Sequence, residues 1–183
     1  ADAGFAINNP VVTLGGTGLT RPTLAVLDNF NRGNFTTLGA NWVQGGQVLG
    51  VGFSALQLNN NTALGSSAGV AAWNPTTGTQ VFGASQAAAV TLTTNANAPA
   101  LLLKVGGSLN LLTGVYANSI RVQYSSGPGN VIVATTTNGG TYTTAGTLTG
   151  TTFAAGDTLT ALVDGTGTVF VWKTTAANVT SYV

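Results

Sequence analysis

The chain has 183 residues, enough for one domain with a sizeable core, and carries only five Lys or Arg and four Asp, with no Glu, His, Cys or Met. A net charge of +1 offers no electrostatic footprint for nucleic acid or an anionic lipid surface. The lack of Cys excludes a disulfide framework, and no apolar run approaches the ~18–20 residues that cross a bilayer as a helix.

Residues 1–22 contain two strand-like runs, Phe5-Ala6-Ile7 and Val11-Val12-Thr13-Leu14, split by Asn8-Asn9-Pro10 and closed by Gly15-Gly16-Thr17-Gly18. They read as an extended N-terminal arm, with Phe5, Ile7, Val11, Val12 and Leu14 as its apolar contacts. Residues 23–183 then form one domain. Short apolar and β-branched runs predict strands at Val48–Phe53, Ala55–Asn59, Gly69–Trp73, Ala87–Thr94 and Ala100–Val105. Ser119–Tyr124 alternates, with Ile120, Val122 and Tyr124 on one face. A turn at Ser125–Asn130 leads to Val131-Ile132-Val133, and Asn138-Gly139-Gly140 leads to Thr141–Thr144. Leu159–Val163 and Val169–Trp172 flank Asp164-Gly165-Thr166-Gly167, a hairpin signal. No stripe of helical period exceeds two turns. The expected fold is all-β, an antiparallel β-sandwich or barrel.

Asp28, Phe30 and Arg32 concentrate two of the few charges around one aromatic ring, in VLDNFNR, shortly before LGANW. On a straight strand the three share a face, but Asp28 and Arg32 are too far apart to pair. Each is therefore expected to bond backbone groups or a neighbouring strand, as a structural clasp completed by Trp42. The two elements resemble the opening of the concanavalin A-like, or laminin-G-like, jelly-roll family, a D-x-F-x-R followed by an L-G-x-x-W. The matches are Asp28, Phe30 and Arg32, then Leu38, Gly39 and Trp42. Ala71-Ala72-Trp73-Asn74, Phe153–Leu159 and Val163-Asp164-Gly165 look like later landmarks, so the resemblance covers roughly residues 26–175. It implies a jelly roll of the kind found in phage structural proteins and in secreted glycan-binding or glycan-degrading proteins. It also implies a closing strand after the Asp164 hairpin. Only Asn178–Val183 remain to supply one, so a missing strand and an open edge are expected.

Catalytic chemistry is poorly provided for. Nucleophile–base pairs lack His and Cys, and the Glu-rich strand motif of the glucanases in that superfamily is absent. No enzyme is expected. Gly15–Gly18 has no following Lys-Ser or Lys-Thr and is no phosphate loop. Asp28, Asp157 and Asp164 are the carboxylate candidates for calcium, although Asp157 and Asp164 sit where turn chemistry alone favours Asp. No other cofactor is expected. Tyr124, Tyr142 and Trp172 are the candidates for a glycan-binding site, while Trp42 and Trp73 read as core. The neutral Gly/Thr/Asn-rich surface and the arm point to a structural protein of a virion surface or an extracellular filament. Its partners would be other copies of itself or neighbouring subunits, with the arm adding a strand to one of them. The competing expectation is a secreted carbohydrate-binding or adhesion module whose partner is a cell-surface glycan.

Overall fold

The structure is a computed structural model and describes residues 19–45, 56–65, 69–73, 82–93, 98–110 and 115–183. The arm residues Phe5, Ile7, Val11, Val12 and Leu14 and the expected strand at 48–53 lie outside them. The described residues hold twelve strands and no helix. β1 (Trp42–Gly45), β2 (Gln57–Asn59), β3 (Thr62–Leu64) and β4 (Val70–Trp73) are short and make two antiparallel pairs, β1 with β4 and β2 with β3. β5 (Gln86–Thr91), β6 (Ala100–Asn110), β7 (Val115–Ser125), β8 (Asn130–Thr136), β9 (Thr143–Leu148), β10 (Thr158–Val163), β11 (Val169–Thr174) and β12 (Thr180–Tyr182) form two four-stranded antiparallel sheets. Their orders are β6-β7-β8-β9 and β12-β11-β10-β5.

Period-two alternation decides which face of each sheet is apolar. Ile120, Val122 and Tyr124 of β7 turn to the same side as Leu101, Leu103, Val131 and Val133, and meet Leu159, Ala161, Val163, Val169 and Val171 from the other sheet. Val122, Val131, Val133, Leu159 and Val163 are fully shielded from solvent. Burying such a side chain contributes roughly 1.5–3 kcal/mol before conformational entropy is charged against it. The architecture is that of a β-sandwich.

The outer face of the β12-β11-β10-β5 sheet carries a row of threonines. Thr91, Thr158, Thr174 and Thr180 stand in register across the four strands β5, β10, β11 and β12. Hydroxyl bonds join Thr91 to Thr158 at 2.8 Å and Thr174 to Thr180 at 2.9 Å. Both members of each pair are β-branched, so the methyls pack along the pleat while the hydroxyls satisfy each other.

Two expectations are corrected. Residues 180–182 do form a short strand on β11, extended by the bond from Val183 N to Val171 O at 3.0 Å, so a strand does follow the hairpin and itself forms the edge of the sheet. β6 and β7 also run well beyond their expected ends, because irregularities between Leu103, Gly106 and Leu109 let the pairing resume after each break. Gly107, with φ +73°, sits within this irregular stretch. A Cβ there would lie 2.7 Å from that of Ala117, so only glycine fits.

Candidate functional site

The VLDNFNR segment is a bend and not a strand. Phe30 takes φ 55°, the left-handed region that a bulky residue rarely adopts, and Arg32 N donates to Phe30 O at 2.9 Å. The bend folds Arg32 back on Asp28. Arg32 Nη1 donates to Asp28 Oδ1 at 2.7 Å and Nη2 to Oδ2 at 2.9 Å, a side-on ion pair. A straight strand would have kept the two apart; the bend brings them together, so they pair with each other and not, as expected, with a neighbouring strand.

Asp28 also accepts from Phe30 N at 2.8 Å through Oδ1 and from Trp42 Nε1 at 2.8 Å through Oδ2. Arg32 Nη2 donates in addition to the carbonyl of buried Leu38. Four donors thus converge on one carboxylate, and a backbone oxygen takes up a further guanidinium proton. Trp42 in turn packs on Phe30 at 5.9 Å between ring centroids and meets Trp73 edge-on at 5.4 Å, across the Trp42–Trp73 register pair of β1 and β4. The hydrogen bond from Arg32, helped by those from Trp42 and Phe30, outweighs the opposing effect of burial and holds the Asp28 carboxyl down to about 2. An open cleft of about 660 Å³ runs beside the clasp between Leu27, Asp28, Arg32 and Trp73. Among the described residues its charged groups, Asp28 and Arg32, are already engaged with each other.

Asp157 anchors a second, smaller clasp. Its Oδ2 accepts from Ala154 N and from Lys173 Nζ, both at 2.9 Å, and its Oδ1 from Ala176 N at 3.2 Å. Lys173 Nζ donates also to Thr152 O at 2.6 Å. The Ala154 N–H above all, with Lys173, keeps the Asp157 carboxyl below its ordinary range against the effect of burial. Asp164 closes the β10–β11 hairpin, its Oδ1 accepting from Thr166 N, Thr166 Oγ1 and Thr168 N. Burial pushes this carboxyl up, but those bonds prevail and its pKa is lowered. The three calcium candidates are therefore apart and each is held by protein donors. Among the described residues no three metal-binding side chains gather.

Comparison with protein-family models, with curated proteins and with solved structures finds no match.

The glycan candidates do not come together. Tyr124 lies in the core, where its hydroxyl accepts from Phe153 N at 3.1 Å, and Trp172 is 3% exposed on the outer face of the β12-β11-β10-β5 sheet. Tyr142 packs over the Arg121 guanidinium at 4.1 Å and bonds Ser119 Oγ at 2.7 Å, on the other sheet. An exposed three-ring platform is not present. Trp172 has different neighbours, which the sequence reading left out. Tyr182 meets it edge-on at 5.7 Å, and Arg21, at the end of the expected arm, reaches Thr160 with Nε at 2.9 Å. The available signal was the register of the last strand, and Thr180–Tyr182 is too short to announce itself.

Proposed function

We propose that the chain is a non-catalytic structural module of a surface assembly, a virion capsid decoration or tail component or an extracellular filament subunit. Its partners are copies of itself or neighbouring structural subunits. The observation that carries this reading is where the exposed apolar side chains lie. Of the large hydrophobics most open to solvent among the described residues, Leu19, Val26, Leu27, Phe35, Val43, Leu64 and Phe82 belong to the segments that precede the two four-stranded sheets, against Val179 elsewhere. Val26 is 78% exposed and Phe35 60%. Asp28 and Arg32, which lie between Leu27 and Phe35 in the sequence, neutralise each other, so neither would oppose contact with a neighbour. Large apolar side chains left open to solvent favour burial against a partner.

The finer fold proposal is a concanavalin A-like jelly roll. Two facing four-stranded antiparallel sheets and a clasp made by the D-x-F-x-R and L-G-x-x-W residues support it. The arm at residues 1–22 is proposed to add to such contacts.

Light scattering on the full chain, on a chain lacking residues 1–18 and on a Val26→Lys, Phe35→Ser variant tests the reading. Oligomers or fibres from the full chain, reduced to folded monomers by the double substitution, are the expected result. A full chain that stays monomeric at high concentration sinks the proposal and favours the secreted carbohydrate-binding module.

A further inference from the structure

The outer face of the β12-β11-β10-β5 sheet carries an open cleft of about 370 Å³, lined by Leu19, Thr20, Arg21, Trp172, Thr180 and Tyr182. We propose that this cleft binds an acidic saccharide, a sugar ring bearing a carboxylate.

Arg21 supplies the reason for the charge. Its Nε is tied at 2.9 Å to the hydroxyl of Thr160, a residue with no solvent exposure at all. That bond fixes the plane of the guanidinium and leaves the two Nη amino groups for another acceptor. Among the described residues neither ion pair involves Arg21. Among the described residues the aspartates that could compete are committed elsewhere: Asp28 to Arg32, Asp157 to Lys173 and Asp164 to its own turn. A fixed guanidinium fork matches a carboxylate with two parallel bonds, and its geometry is settled before the ligand arrives.

The walls supply the reason for the sugar. Tyr182, packed edge-on against the nearly buried Trp172, gives the cleft an aromatic side, and Thr20 adds a hydroxyl beside that of Thr180, which already bonds Thr174. Trp172 adds an unmet demand: its indole Nε1 is buried and has no acceptor. An unsatisfied buried donor is destabilising and marks a weak point in the packing behind the cleft. Among the described residues no aspartate lines the cleft. It offers cationic and N–H donors without an anionic acceptor, which favours an oxygen-rich, negatively charged ligand over a neutral or basic one.

The site stands apart from the assembly reading, since it needs only one copy of the chain. Its test is titration of the full chain with D-glucuronate, followed by tryptophan fluorescence and calorimetry. D-Glucose, the same ring without the carboxylate, and acetate, the carboxylate without the ring, are run in parallel. Saturable glucuronate binding at least about tenfold tighter than either control is expected, with a further loss of about tenfold in Arg21→Gln and in Arg21→Lys, which keeps the charge but not the fork. Thr180→Val, which leaves Arg21 untouched, weakens binding as well. Circular dichroism confirms that each variant is folded. Equal binding of acetate, binding unchanged in folded Arg21→Gln, or no saturation by about 10 mM glucuronate would overturn the proposal. Should Arg21→Gln not fold, retention of full affinity in Thr180→Val and Arg21→Lys together overturns it.

Discussion

Asp28 and Arg32 face each other through two parallel hydrogen bonds, 2.7 and 2.9 Å long, because the residue between them, Phe30, bends the chain at φ 55°. The strained backbone and the ion pair support each other. The pair cannot form on extended chain, and the left-handed Phe30 conformation needs contacts to hold it. Asp28→Asn keeps the shape but loses the charge and one acceptor, leaving donors from Arg32 and Trp42 in competition. A loss of about 2 kcal/mol is expected in urea unfolding, an estimate held down by the partial exposure of Arg32. Arg32→Lys cannot make the side-on pair and is expected to lose about 1 kcal/mol.

Stability should fall in acid with a defined sign. Asp28 is lowered from an ordinary 3.8 to about 2, and Asp157 and Asp164 are lowered too. The unfolded chain therefore binds protons first as pH drops. The contribution of these groups is complete above the ordinary carboxylate range and is lost as pH falls through 3.8 towards 2. Urea midpoints measured at intervals from neutral pH down through that window should decline, and Asp28→Asn should flatten the decline. A wild-type midpoint that holds steady there would contradict the geometry.

Gly107→Ala should be among the more damaging single substitutions. The new methyl meets Ala117 Cβ at 2.7 Å, and φ +73° already disfavours any side chain. About 2 kcal/mol or more is expected from the sum of backbone and steric cost. Gly39 also has positive φ, at +95°, but has nothing within 4 Å of the added atom, so Gly39→Ala should cost less. Thermal unfolding of the two variants side by side separates steric crowding from backbone strain.

Asp157 and Lys173 should couple in a double-mutant cycle. Lys173→Met leaves Asp157, 6% exposed, with its two backbone donors but without its counter-charge, and removes the bond to Thr152 O. A coupling energy of about 1–2 kcal/mol is expected between Asp157→Asn and Lys173→Met. Additivity within experimental error would mean that the Ala154 and Ala176 N–H groups do all of the anchoring.

Strand identity was largely legible in the sequence because period two is a strong local signal. Ile120, Val122 and Tyr124 face the core as the alternation indicates, and Asp164-Gly165-Thr166-Gly167 makes the hairpin its composition suggests. Two things were not legible. The bend at Phe30 runs against the preference of a bulky residue, and only the later meeting with Trp42 and Leu38 repays it, so a local reading favoured straight chain. Which face of β11 a residue takes also depends on register with strands far away in sequence. Trp172 points away from Val169 and Val171, onto a surface shared with Arg21 and Tyr182, residues 139 positions apart from Thr160 and at the chain's last strand respectively. No spacing rule joins those.

The threonine row across β5, β10, β11 and β12 has a consequence for the medium in which such a surface can work. Hydroxyl-to-hydroxyl bonds carry no net charge, so added electrolyte has nothing in them to screen. The Debye length shrinks from about 8 Å at physiological ionic strength to about 3 Å at 1 M, yet it acts only on monopoles. The charged clasps at Asp28 and Asp157 are contact pairs with their carboxylates largely shielded from solvent. The cohesion of the sheets should therefore be nearly indifferent to brine, and the outer face keeps the same character in dilute water and in concentrated salt.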